Sequence, residues 1–207
     1  MTHFTVGIIV PNDRLSNLVG FVAAQMEPYC EHTEAEPYVC YSVGKAEAEI
    51  KHDIHRLERI IEREDPDYDL DKCRALLAKL RSTTPEERYL EYVQHHESFN
   101  ARGEPLSTYN PKSKWDWYVI GGRWDGWIHG REASGEAAED NMATTEQARE
   151  RGIIPHAIVT PEGDWHERGQ LGWWAILVTE NEDWDAQARE ILAAYTGHFL
   201  LILDAHI

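Results

Sequence analysis

The chain has 207 residues, with 37 Asp and Glu residues against 20 Lys and Arg residues, and a formal net charge of −17. This length suits one domain of ordinary size, and a 42% share of hydrophobic residues excludes a disordered or fibrous chain. The acidic balance argues against duplex DNA as a partner, because neutralising its phosphates needs many Lys and Arg side chains, but it permits a small pocket for one anion or a cationic protein partner.

The cysteines and the absence of known short motifs narrow the class of protein further. Cys30, Cys40 and Cys73 are an odd number without CxxC spacing, which argues against a disulfide framework or a zinc ribbon. No Walker A, GxGxxG, GxSxG or HExxH pattern occurs, which excludes the commonest ATP-binding and NAD-binding folds, and the sequence predicts no cofactor and no set of metal ligands. No apolar run is long enough to cross a membrane and no signal peptide is evident, so we expect a cytoplasmic protein without a membrane partner.

The chain opens with a predicted strand followed by a helix. The apolar run HFTVGIIV, closed by Pro11, is typical of a buried strand. Apolar residues at helical spacing follow from Leu15 to Met26, and Pro28 ends this helix.

Residues 45–99 predict a helical insertion. Ile50, Ile54 and Leu57 recur at helical intervals in a first helix, which the polar segment DPDYD ends. A second helix carries Leu77 and Leu80, and a Thr-Pro-Glu-Glu cap begins a third. We interpret the charged faces as solvated; a homodimer formed through these helices is the alternative.

The C-terminal half predicts a ribbon, a hairpin, two strands and a helix. Residues 114–130 suggest a strand or ribbon, and 162–164 suggest a hairpin turn. The segment LGWWAILVTE predicts a buried strand. Thr179 with Glu182 forms a capping-box signature for the next helix, and HFLLILDAHI predicts the last strand.

Together these elements predict a single α+β domain over residues 1–207. Their order matches a ferredoxin-like split βαβ antiparallel sheet with a helical-hairpin insertion and an extra β-hairpin. In that topology the first and last strands are antiparallel neighbours. His3 and His206 are therefore expected to lie close together.

The two terminal histidines are the first candidate site. Two imidazoles at one end of a sheet can act as general acid and general base in phosphodiester cleavage, because both titrate near neutral pH. They could also supply two ligands of a metal site. The alternative is that they are polar residues at strand ends, because chance pairs are common in a chain with 11 His.

The second candidate is the ribbon KWDWYVIGGRWDGW. On a regular strand Trp115, Trp117 and Val119 would share one side, with Asp116 and its alternate neighbours on the other. Arginine beside indole rings can grip a phosphate while a nucleobase stacks on a ring. The predicted ligand-binding residues are Lys114, Trp115, Trp117, Gly121, Gly122, Arg123 and Trp124. The alternative is a bulged strand with Trp in the core and Arg123 paired with Asp116 or Asp125.

Four stretches resemble a family of small, uncharacterised proteins encoded mainly by bacteriophages. They are THFTV, NPKSKWDWYVIGGRW, GWWAI and LDAHI. We expect the family to have Ser-His-Phe-Thr-Val at the start, Lys-Trp-Asp-Trp-Tyr and Gly-Gly-Arg-Trp in the middle, and Asp-Cys-His-Ile at the end. Ala205 replaces the expected Cys, so a thiol cannot be the nucleophile here. Cys30 replaces an expected His, which weakens a metal site. The resemblance implies a phage setting and carries no assigned activity.

Three functional hypotheses follow. The first is a phage accessory protein that binds, or binds and hydrolyses, a small phosphate-bearing nucleotide such as a host defence signalling nucleotide, with His3 and His206 as catalytic residues. The second is a sponge that uses the same pocket without chemistry. The third is an acidic protein that blocks a cationic host protein or imitates nucleic acid.

Overall fold

The computed structural model describes residues 3–130, 138–169 and 181–207. They form two compact units, the first from residues 1–34 with 109–207 and the second from residues 35–108. The second unit contains the predicted helical insertion over 45–99, and the grouping of both units in one domain stays a prediction.

The strands and α-helices of the described residues have the following bounds. The strands are β1 (His3–Val10), β2 (Tyr38–Val39), β3 (Leu106–Ser107), β4 (Trp117–Ile120), β5 (Met142–Thr144), β6 (Ala157–Val159), β7 (Trp165–Glu167) and β8 (Phe199–His206). The helices are α1 (Leu18–Met26), α2 (Val43–Glu62), α3 (Leu70–Ser82), α4 (Pro85–Val93), α5 (Thr145–Glu150) and α6 (Trp184–Ala194).

The sheet of the first unit has the order β4-β8-β1-β6-β7, with β5 also paired to β8. β1 and β8 pair antiparallel over their whole length, and His3 is the register partner of His206. β4 and β5 pair antiparallel with different parts of β8. β6 runs parallel to β1 and forms an antiparallel pair with β7. The predicted α+β class, with a mostly antiparallel sheet, is confirmed.

Apolar side chains cover both faces of this sheet. Phe4, Val6 and the other even-numbered residues of β1 pack in one cluster with Met26 of α1. Ile9 packs in a second cluster with Trp184 of α6. Because successive strand residues point to opposite faces, His3 lies on the face of Ile9 and Phe4 on the other.

The second unit is a three-helix assembly with a short antiparallel pair of β2 and β3. Leu57 and Ile60 of α2 pack against Cys73, Leu77 and Leu80 of α3. The capping box predicted at the start of the third helix is confirmed: the Thr84 hydroxyl accepts from the Glu87 N–H, and the Glu87 carboxylate accepts from the Thr84 N–H.

Some predicted elements differ from the structure or lie outside its described residues. The strand in LGWWAILVTE and the cap at Thr179 fall outside the described residues. Residues Met142–Thr144 form β5, which the sequence pattern does not indicate because the strand has only three residues. In the described parts of the chain, no helix is both long enough and apolar enough to span a membrane.

Candidate functional site

The imidazole rings of His3 and His206 meet at the end of the β1–β8 pair. Their ring centroids are 5.3 Å apart and the ring planes are inclined at 71°. The expected closeness of these residues is therefore confirmed by the antiparallel register.

His3 is oriented by Asp204. Its Nδ1 lies 2.8 Å from Oδ1 of Asp204, and the side chain of Asp204 is only 3% exposed. A carboxylate can only accept a hydrogen bond, so Nδ1 of His3 carries the proton. In the neutral ring Nε2 is then the acceptor nitrogen.

His206 is oriented in the same way by Asp116. Its Nδ1 lies 2.6 Å from Oδ1 of Asp116, which also accepts the backbone N–H of Trp117 at 2.7 Å. The side chain of His206 is 6% exposed. Its Nε2 is buried and has no hydrogen-bond partner among the described residues.

Trp117 covers the ring of His206. The two rings are stacked, with centroids 5.4 Å apart and planes inclined at 13°. Trp117 also meets the His3 ring edge-on at 5.2 Å. Because Trp117 is itself 42% exposed, it presents an aromatic surface to solvent directly above the histidine pair.

The glycine pair brings the ribbon to the same cluster. Gly121 and Gly122 have φ values of 71° and 55°, and the chain leaves the strand there in a short 3-10 turn. This turn lets the backbone N–H of Arg123 donate to Oδ2 of Asp204 at 3.0 Å. One buried carboxylate therefore holds both His3 and the main chain of Arg123.

Arg123 follows the glycine pair on the surface of the molecule. The residue is exposed, and its side chain forms no ion pair within the described residues. The structure does not pair Arg123 with Asp116 or Asp125. The carboxylate of Asp116 instead holds the ring of His206, and that of Asp125 accepts a hydrogen bond from the side-chain amide of Asn141 at 2.5 Å.

Two other tryptophans of the ribbon pack in the apolar clusters of the core. Trp124 packs against the cluster around Trp184. Trp115 is 9% exposed, belongs to the core cluster on the Phe4 side and donates its indole N–H to Met26 at 3.0 Å. The prediction that Trp115 and Trp117 share a side is therefore wrong, because the regular strand begins only at Trp117.

Lys114 belongs to a different environment. Its ammonium group lies 2.6 Å from Glu167, and both side chains are largely buried. They line a cavity of about 220 Å³ together with Phe4, Ser113 and His156. The cavity lies on the Phe4 side of the sheet, so it is separate from the histidine pair. Burial lowers the pKa of His156, which favours its neutral form.

The histidine site has the parts that acid–base chemistry on a phosphate ester needs. These are two oriented imidazoles, an exposed aromatic ring and an exposed guanidinium-bearing side chain. No group of three or more His, Cys, Asp or Glu side chains among the described residues is arranged to hold a metal ion. In comparisons with known proteins, no family model, no curated protein and no solved structure matches this chain.

Sequence reasoning missed the orienting roles of Asp204 and Asp116. The signal for Asp204 was its position two residues before His206 on one strand, which places both side chains on the same face. Asp116 had no such signal, because its approach to His206 depends on the pairing of β4 with β8.

Proposed function

We propose that the chain binds a small phosphate-bearing nucleotide at the histidine site and that His3 and His206 act on its phosphodiester. The observation that carries this proposal is the pair of carboxylate-held imidazoles with ring centroids 5.3 Å apart. Two imidazoles held in this way can exchange proton donor and acceptor roles across one phosphate.

Trp117 and Arg123 supply the recognition groups in this proposal. An exposed indole ring offers a stacking surface that every nucleobase can use, and stacking of this kind contributes about 1–3 kcal/mol per base. The guanidinium of Arg123 pairs with the phosphate, since its main chain is anchored on Asp204 beside His3. A small ligand needs only this local positive group, so the net charge of −17 does not oppose it.

The biological setting is part of the same proposal. The resemblance to phage-encoded proteins favours an accessory protein that acts in the host cytoplasm on a defence signalling nucleotide. A homodimer formed through α2–α4 remains our proposal for the role of the second unit.

The ferredoxin-like arrangement is likewise a proposal. The antiparallel pairing of the first and last strands supports it. The direct parallel pairing of β1 with β6 differs from the fully antiparallel split βαβ order and must be accommodated as a variation.

Native mass spectrometry with a bacterial nucleotide extract, followed by denaturing release, tests the proposal. We expect an added nucleotide mass on the wild-type protein that is lost in Arg123→Ala and retained in the control Lys114→Met, because Lys114 pairs with Glu167 away from the histidines. His206→Ala should retain binding and lose turnover.

The outcomes separate the three hypotheses. Release of a cleaved product supports the enzyme, and release of the intact nucleotide supports a sponge. No added mass with any extract contradicts nucleotide binding. That result would favour the blocking of a cationic host protein, which salt-sensitive binding unaffected by Arg123→Ala would reveal.

A further inference from the structure

We infer that the substrate is a ribonucleotide phosphodiester whose own 2′-hydroxyl is the nucleophile, and that His206 takes the proton from this hydroxyl. The inference rests on the proposed function and deepens it by naming the substrate class. It starts from Nε2 of His206, a buried polar atom without a partner among the described residues.

The tautomer of the neutral His206 ring follows from its contacts. The carboxylate of Asp116 accepts a hydrogen bond from Nδ1, so the proton of the neutral ring is on Nδ1 and Nε2 holds a lone pair. A buried acceptor that is left without a donor is unfavourable, because it has lost its hydrogen bond to water. The site therefore favours a ligand that brings a hydrogen-bond donor to this atom.

Burial also decides which donor can reach it. The side chain of His206 is 6% exposed and lies beneath the Trp117 ring and beside the His3 ring, so bulk water has little access to Nε2. The ligand reaches Nε2 by turning the exposed Trp117 ring aside, and a base stacked on that ring then excludes water further. A hydroxyl group on the ligand itself then has an advantage over a water molecule, because it arrives already positioned.

His3 completes the reaction as the general acid. It is the more exposed of the two imidazoles, with 12% of its side chain accessible, and its Nδ1–H donates to the buried carboxylate of Asp204, which fixes the ring so that Nε2 can donate to a leaving oxygen. Because His3 and His206 lie side by side, one phosphate can contact both.

The step balances in protons and bonds. Nε2 of His206 takes the proton of the 2′-hydroxyl, and the 2′-oxygen forms a bond to phosphorus. The bond between phosphorus and the 5′-oxygen breaks, and the leaving oxygen takes a proton from the His3 imidazolium. The products are a 2′,3′-cyclic phosphate and a free 5′-hydroxyl. Exchange with solvent restores both rings.

The first test compares adenylyl-(3′,5′)-adenosine with its 2′-O-methyl analogue on the wild-type protein. We expect both to bind, and only the hydroxyl-bearing dinucleotide to yield adenosine 2′,3′-cyclic phosphate and adenosine. Cleavage of the methylated analogue at a similar rate would overturn the inference while the proposed function stands. Binding of both without cleavage also overturns it, and failure of both to bind instead contradicts the proposed function.

The second test assigns the two histidines. The probe is the p-nitrophenyl ester of uridine 3′-phosphate, whose leaving group needs no proton. His206→Gln should lose at least about 100-fold in rate on both the dinucleotide and the aryl ester, the usual contribution of a general base. His3→Gln should show that loss on the dinucleotide alone. The reverse pattern overturns the assignment, and recovery of activity on the aryl ester shows that His3→Gln is folded.

Discussion

The backbone of Gly122 lies directly against the carboxylate of Asp204. A Cβ atom on Gly122 would come within 2.5 Å of both Cβ and Oδ2 of Asp204, and the residue has a φ of +55°. A glycine is required here for two reasons, its conformation and the space beside it. This close approach is what places Arg123 on the carboxylate that orients His3.

Substitution of Gly122 by alanine should therefore destabilise the chain more than the same change at a glycine with open space. We expect Gly122→Ala to lower the free energy of unfolding by about 2–4 kcal/mol, the sum of left-handed strain and a displaced Asp204. Gly152→Ala is the matched control, because Gly152 has a φ of +69° and nothing within 4 Å of the added atom. Its expected loss is about 1–2 kcal/mol. Urea unfolding measures both, and equal losses would contradict the close contact with Asp204.

Removal of the Trp117 ring should expose His206 to reagents. In Trp117→Ala, Nε2 of His206 loses the ring stacked above it, so carbethoxylation of His206 by diethyl pyrocarbonate should become faster. Peptide mass mapping follows the modified residue. Val119→Ala is the control, since Val119 is exposed to a similar extent on the same strand. An unchanged rate in Trp117→Ala would show that the ring does not shield His206.

The capping box at Thr84 should contribute to the stability of the second unit. Thr84→Ala removes the acceptor for the Glu87 N–H at the first turn of α4, with an expected cost of about 1 kcal/mol in the free energy of unfolding. Thr84→Ser keeps a hydroxyl oxygen and should recover most of that loss. Hydrogen exchange in residues 85–93 reports the effect locally, and unchanged protection in Thr84→Ala would contradict this contribution.

Much of the fold was predictable because its signals are local. The helical spacing around Leu57 and Leu77 identified the helices that carry them, and the Thr84 cap marked the start of α4. The meeting of His3 with His206 was also predictable, because it requires only that β1 and β8 be antiparallel neighbours with opposed ends.

The details of the candidate site were not predictable in the same way. Alternation along a strand placed Trp115 with Trp117, but the backbone of Lys114 donates to Tyr29 at 2.8 Å and the strand starts only two residues after Trp115. Asp116 reaches His206 across a strand pair that no local pattern encodes. Contacts between residues far apart in the chain decide these positions, and periodicity contains no information about them.

The neutral form of the half-buried His156 should make stability depend on pH. Burial is the main cause that lowers its pKa from the ordinary value of 6.5, with the Phe4 ring packed against it at 5.5 Å. Between the lowered pKa of the folded state and pH 6.5, the His156 imidazole is protonated to a greater extent in the unfolded chain than in the folded protein. The free energy of unfolding therefore falls as the pH is lowered through that range, by at most about 1.4 kcal/mol per pH unit for this one group.

His156→Gln removes the titrating group and should reduce this pH dependence. The variant is expected to be less stable than the wild type above pH 6.5, where the wild-type ring is neutral in both states and packs against Phe4. The difference in the free energy of unfolding between the two proteins should shrink as the pH falls below 6.5. Urea unfolding of both proteins at a series of pH values measures it. A constant difference across the series would show that His156 is not held in its neutral form by burial.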